Sequence, residues 1–315
     1  MKVPEKYIGE VMSNYKSKPI TREMIIKDLA LSYILYGIGE DIRKNKNSPF
    51  KKLIFKGGTL LAKSQLKYHR ISEDLDFTFK DNSKLNKLST TQKKKAIKKF
   101  LKKELLPAIT KICEDYSFDF NADEINDITQ MKYCPVTSTV FQTKFNIYIN
   151  TDESNPIKIE INFCDEPFYK LEKSKIIHLN PFSNHLTYPL KDLELESYII
   201  KEIVLEKLRA IVTRKESVHE RDIYDLFLLS KKGNDPFKTE HKEIRDKIIQ
   251  GLGYQVDKTK EKKHIQELEK RIEELEKNLE AEIRDMNLTS YDSEKYKNFF
   301  KKIKDFVLSI DFEDL

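Results

Sequence analysis

Residues 74 to 79 read Asp-Leu-Asp-Phe-Thr-Phe, and no other stretch of the chain restricts its fold so tightly. Polar and apolar residues alternate here as in a half-buried β-strand. In a strand, residues two apart point to the same face. Asp74 and Asp76 then stand side by side while Leu75 and Phe77 turn toward a core. Adjacent carboxylates repel, so the arrangement is unfavourable without a neutralising cation. Oxygen-only ligands in a site that also carries phosphates suit Mg2+.

Upstream, the short strand Leu53-Ile54-Phe55 runs through Lys56 to Gly57-Gly58. Glycines closing a strand let the backbone approach a ligand, because no Cβ intervenes. The amides of Gly58 and Thr59 would open a helix, expected over residues 59 to 68, and helix N-termini favour anions. The Thr59 hydroxyl adds a donor for a phosphate oxygen. Taken alone, Gly-Gly-Thr also fits an ordinary tight turn. A third carboxylate comes from Ile157-Lys-Ile-Glu-Ile-Asn-Phe163, whose alternation sets Glu160 on the face of Lys158 and Asn162, opposite the core. If that strand lies beside the Asp74 strand, Glu160 completes a three-carboxylate site able to hold two metal ions; otherwise it is an exposed strand residue.

Around these motifs the pattern predicts helices over 20–46 and 90–112, a strand over 72–79, and strands over 138–149 and 157–164. Pro107 is expected to kink or divide the second helix. Beyond Pro189 the character becomes helical, over 192–214 and 221–231. A long charged helix follows over 258–286, whose Ile265, Leu268, Ile272, Leu275, Leu279 and Ile283 form a coiled-coil-like seam needing a partner helix or protein. The expected fold is α+β: a mixed sheet flanked by helices over residues 1–185, then a helical C-terminal domain over 186–315.

The 315 residues carry a net charge of +6, unevenly spread. Between Lys80 and Cys113 eleven lysines face only Asp81 and Glu104, a local charge of +9. Such a segment suits a polyanion, and from charge alone it equally suits a solvated helix face. Cys113, Cys134 and Cys164 are odd in number and lack Cys-x-x-Cys spacing, against a disulfide framework or a zinc site. No apolar run approaches the ~20 residues of a membrane span, and the N-terminus lacks the apolar core of a signal peptide, which points to the cytoplasm.

One further element carries chemistry. Ile200, Val204, Lys207, Ile211 and Arg214 share a helix face, which sets Lys207 within an apolar stripe. A lysine there snorkels outward or meets an anion, since an unpaired buried ammonium is costly.

Gly-Gly-Thr followed by a helix and Asp-x-Asp resembles the nucleotidyltransferase superfamily that includes DNA polymerase β. The fuller Lys56-Gly-Gly-Thr59 and Arg70-Ile-Ser-Glu-Asp-Leu-Asp-Phe77 resembles the AbiEii/AbiGii toxin family, which includes the MenT toxins. A second block, Glu206-Lys-Leu-Arg-Ala210, Arg214 and Arg221-Asp-Ile-Tyr-Asp-Leu226, is similar to the same family, as is Ile25-Ile-Lys-Asp-Leu-Ala30. The likeness covers roughly residues 20 to 230.

It implies an Mg2+-dependent transfer of a nucleoside monophosphate from an NTP to a hydroxyl. Asp74, Asp76 and Glu160 would hold two metal ions, with Glu160 deprotonating or orienting the acceptor. Lys56, Gly57, Gly58, Thr59, Arg70, Ser72, Lys207 and Arg221 would contact the nucleotide. Asp222 would support catalysis or orient Lys207, and Asp225 would cap or pair structurally. The family further implies a toxin of a toxin–antitoxin or phage-defence pair with a separately encoded antitoxin. Its acceptor would be the tRNA 3′ end, with residues 80–113 meeting RNA. Alternatives are transfer to a protein or antibiotic hydroxyl, and a non-catalytic NTP-binding module or one acting through the 258–286 helix.

Overall fold

The computed structural model describes residues 3–15, 20–72, 74–120, 142–149, 152–180, 183–186, 190–214, 218–252, 267–285 and 290–312. It divides into two compact units, Met1–Tyr198 and Ile199–Leu315.

The first unit is built on a six-stranded mixed sheet in the order β3-β4-β2-β1-β6-β5. Its strands are β1 (Leu53–Lys56), β2 (Asp74–Phe79), β3 (Gln142–Ile149), β4 (Asp152–Asn162), β5 (Glu172–Ile176) and β6 (Leu193–Ser197). The pairs β1–β6 and β2–β4 are parallel, and the other neighbours run antiparallel. The alternation expected of β2 and β4 is present: Leu75, Phe77, Ile157, Ile159 and Ile161 are buried, while Asp74, Asp76 and Glu160 are half-buried. Residues 193–197, predicted as the start of a helix, instead form strand β6. Their Leu-Glu-Leu-Glu-Ser sequence has a period of two, with Leu193, Leu195 and Ser197 buried. The helix begins only at Ile200.

Helix α1 spans Glu5–Asn14 and helix α2 spans Arg22–Lys44, the latter capped by the Thr21 hydroxyl accepting from the Met24 amide. α2 buries Ile25, Leu29, Tyr33 and Ile34, and also a charged residue, Asp28. Asp28 meets Lys63, whose Nζ lies 2.7 Å from Asp28 Oδ1, 2.8 Å from Ser32 Oγ and 2.7 Å from the Tyr68 hydroxyl. Burial pushes the Lys63 ammonium pKa down, with Asp28 opposing, and pushes the Tyr68 phenol up.

The predicted basic helix is divided. It comprises α5 (Thr90–Phe100), a wide π-type turn over Leu101–Leu105, and α6 (Leu106–Asp115), with two short helices preceding it, α3 (Gly57–Leu60) and α4 (Asn82–Leu85). Ser89 and Gln92 close a capping box at the start of α5. Pro107 lies just past the π-type turn, and Phe100, Leu101, Leu105 and Leu106 keep helical dihedrals, so its missing N–H falls within continuous helix and the expected irregularity takes the form of that wide turn. Ile97, Leu101, Leu105 and Ile112 are buried, and Lys95, Lys98, Lys99, Lys102 and Lys103 are exposed. Lys93 departs from the pattern: it is buried, 2.7 Å from Asn86 Oδ1 and 3.1 Å from Cys164 Sγ. Cys113 and Cys164 are free thiols, and Cys134 lies outside the described residues.

The second unit is helical, with α7 (Ile200–Thr213), α8 (Glu220–Lys231), α9 (His241–Leu252), α10 (Leu268–Asp285) and α11 (Ser290–Leu308). The seam residues Leu268, Ile272 and Leu275 are buried, and α10 packs on α11, so the partner it needs is supplied within the chain. The first part of the predicted 258–286 helix, including Ile265, lies outside the described residues. α11 in turn packs on α8, with Tyr296 and Phe299 against Phe227 at ring separations of 5.3 and 5.5 Å. Lys247, wholly buried, is held by Glu202 Oε1 at 2.8 Å and Glu206 Oε1 at 3.1 Å. No described helix is long and apolar enough to cross a membrane.

Candidate active site

Sheet register brings three of the expected residues into one row. Lys56 of β1 lies opposite Asp76 of β2, and Asp76 lies opposite Glu160 of β4. Paired residues of neighbouring strands share a face, so Asp74, Asp76 and Glu160 all project from the same side of the sheet. Asp74 pairs in register with Lys158, one row along.

The diglycine turn sits against this row. Gly57 has φ +81°, in the left-handed region, and a Cβ built on it would lie 2.1 Å from Asp76 Oδ2. A Cβ on Gly58 would lie 2.4 Å from Arg70 Nη2 and 3.2 Å from Ser72 Oγ. The two glycines therefore leave room for Asp76 and Arg70 themselves, a reason for Gly-Gly that sequence reasoning assigned to a ligand. Thr59 differs from expectation. It is fully buried and its hydroxyl donates to the Asp74 carbonyl at 2.5 Å, which ties α3 to the first residue of β2 and commits its only proton. Lys56 is also engaged, with Nζ 3.5 Å from Asp165 Oδ2 and 5.7 Å from the centre of the Tyr198 ring.

Three oxygen-donating carboxylates on one face, beside a turn that admits no Cβ, fit a hard divalent cation as a donor set. Among the described residues, no three His, Cys, Asp or Glu side chains converge as a ready-made metal cluster. Mg2+ is commonly held by one or two carboxylates with substrate phosphates and water completing its shell.

Lys207, Asp222 and Arg221 belong to the second unit. Lys207 neither snorkels nor waits unpaired: its Nζ is 3.0 Å from Asp222 Oδ1 and 2.7 Å from Asp225 Oδ2. Asp225, expected to pair structurally, shares the lysine with Asp222. Arg214 Nη2 stands 3.0 Å from Asp222 Oδ2. Burial drives the Asp222 carboxyl pKa up, but the Lys207 and Arg214 charges prevail and hold it below the usual carboxylate value. Arg221, one residue away, is exposed.

Sequence reasoning missed Asp28, Lys63 and Tyr68. Asp28 and Lys63 are 35 positions apart, and each reads locally as a surface charge. The available signal was Lys63 three residues after Leu60 on a short segment whose other members, Leu60, Leu61 and Ala62, are all core.

A mixed sheet that aligns paired acidic residues beside a diglycine turn belongs to the nucleotidyl-transfer class. The family model for the nucleotidyl transferase AbiEii toxin of type IV toxin–antitoxin systems matches residues 43–315, and the chain belongs to that family. It is accordingly a nucleotidyltransferase toxin, of a family that implies an NTP substrate and an antitoxin partner. Among solved structures it is similar to MenT4, a nucleotidyltransferase toxin from Mycobacterium tuberculosis H37Rv, at 12% identity and a TM-score of 0.46 over 98% of this chain and 99% of that one. No curated protein matches the sequence.

Proposed function

We propose that the chain is a cytoplasmic, Mg2+-dependent enzyme that transfers a nucleoside monophosphate from an NTP to the 3′ end of tRNA, in defence against phage. The observation that carries this reading is the row formed by Asp76 and Glu160 beside the Gly57–Gly58 turn. Asp74, Asp76 and Glu160 would hold Mg2+ with the triphosphate's own oxygens. Bound there, the ion would neutralise phosphate charge and acidify the attacking hydroxyl.

Glu160 accepts or orients the acceptor hydroxyl's proton. The amides of Gly58 and Thr59, the Arg70 guanidinium and Ser72 seat the phosphates, with the Thr59 hydroxyl serving structure only. Lys56 adds positive charge beside Asp76. Lys207 and Arg221 contact phosphate, and Asp222 with Asp225 orients the lysine. Positioning and charge neutralisation supply the rate. The exposed lysines of α5 and the turn after it track an RNA backbone.

The test is incubation with each α-labelled NTP and total RNA, resolved on a denaturing gel, with Asp76→Asn and Glu160→Gln alongside. One NTP labelling a tRNA-sized band, lost by a factor of at least ~100 in both variants, is the expected result. Label in a protein or in an added aminoglycoside moves the acceptor elsewhere. Label retained by Asp76→Asn refutes the proposed chemistry.

A further inference from the structure

The backbone between the diglycine turn and Arg70 is unusual at every step. Gly57 is left-handed, α3 lasts one turn, a π-type turn spans Leu61–Gln65, and Lys67 and Tyr68 follow with φ of +46° and +59°. Consecutive left-handed residues with side chains persist only where surroundings over-determine them. The surroundings here are the Tyr68 amide bonded to the Ala62 carbonyl at 2.7 Å and the Tyr68 hydroxyl placed between Lys63 Nζ and Asp28 Oδ2, at 2.7 and 3.1 Å. Two residues beyond this knot, Arg70 lies over Gly58.

We propose that Tyr68, Lys63 and Asp28 are positioning residues: their buried network holds the left-handed bend that delivers the Arg70 guanidinium to the space over Gly58, where the nucleotide's phosphates are read. This rests on the proposed role of Arg70. None of the three touches substrate; each acts through Arg70. The Tyr68 phenol stays protonated because burial and Asp28 both oppose its ionisation, so it remains a donor to Asp28. Asp28 lies on α2, which also buries Tyr33 and Leu35, so the bend is referenced to the core rather than to a surface loop.

Tyr68→Phe removes one hydroxyl and adds no bulk. With the NTP that best labels total RNA, kcat and KM for that NTP are measured for the wild type, Tyr68→Phe, Arg70→Ala and the double variant. Expected is a KM rise of about tenfold in Tyr68→Phe with kcat within about twofold, and a double variant no worse than Arg70→Ala. Asp28→Asn, which keeps the side chain's shape, should raise KM in the same direction, and it serves where Tyr68→Phe does not fold. A merely structural network would reduce the active fraction, lowering kcat at constant KM, and that result overturns the inference. So does a raised KM in Arg70→Ala with an unchanged KM in Tyr68→Phe, while leaving the enzyme's proposed function intact. Unchanged KM in Arg70→Ala removes the inference at its base. Asp76→Asn judges the proposed function separately.

Discussion

The carboxylate of Asp76 occupies the space that a side chain on Gly57 would need, with Oδ2 2.1 Å from the position of a Cβ there. Gly57 is thus fixed twice, by its φ of +81° and by its neighbour. Gly57→Ala should cost about 1–2 kcal/mol for the left-handed backbone and also displace Asp76. Nucleotide transfer should fall by a factor of at least ~100, since small misplacements at a reacting centre have effects of that size. Gly57→Ala combined with Asp76→Gly should regain part of the lost melting temperature and none of the activity. Full activity in Gly57→Ala would separate this turn from the chemistry.

How far the sequence reached depends on the range of each interaction. Period-two alternation is local, so it set Asp74, Asp76 and Glu160 on their faces without knowledge of the fold. Register is not local: that Asp76 sits opposite Glu160 follows only from the parallel β2–β4 pairing, across more than eighty residues. The five-residue strand at Leu193–Ser197 was hidden because it abuts a strong helix, and Leu-Glu repeats suit either state. For Lys207 the spacing left snorkelling and an anionic partner both open; the two aspartates sharing it lie one turn apart on α8, and that sharing requires knowing how α7 meets α8. The Asp28–Lys63 pair was invisible for the same reason.

The exposed lysines of α5 and the turn after it give a salt-dependent prediction. Lys98, Lys99 and Lys102 are exposed on this segment. Replacing all three with serine should weaken total-RNA binding and lower the slope of log K against log salt by about 2, the share of three phosphate contacts on a single strand. Nucleotide KM should not change. A filter-binding titration across salt concentrations measures this, and an unaltered slope would leave these lysines as a solvated surface.

His178 should set the acid sensitivity of the first unit. Burial lowers its pKa from 6.5 to about 4, and the nearby Lys63 charge acts in the same direction. The unfolded chain therefore takes up this proton first as pH falls. Stability is full above about 6.5 and declines toward pH 4, by ~3 kcal/mol in all. Asp222 acts in a different window: its depressed pKa contributes stability that is lost only as pH falls below its ordinary value of 3.8. Urea unfolding of His178→Gln should show a flatter decline between pH 6.5 and 4 than the wild type. Parallel declines would mean that another group is responsible.

Arg271 connects the C-terminal hairpin to the helix that carries Lys207. From α10 its Nη2 donates to the Val212 carbonyl at 2.9 Å and its Nη1 donates to the Arg214 carbonyl, while burial lowers its pKa. Those carbonyls end α7, where the last turn has no helical donors of its own. Arg271→Met preserves the apolar stem but leaves both carbonyls without their donor, at a cost of about 3 kcal/mol. Lysine keeps the charge yet lacks the fork that reaches two acceptors, so Arg271→Lys should recover no more than about half of the loss. Because Arg214 also holds Asp222, and Asp222 holds Lys207, the same loss should loosen the ion cluster. Arg271→Met should therefore bring forward the acid loss of stability due to Asp222 as well as lower the urea midpoint. A midpoint equal to the wild type's would mean that the hairpin is an appendage; a lowered midpoint with full rescue by lysine would mean that charge, not the two-carbonyl geometry, fixes the end of α7.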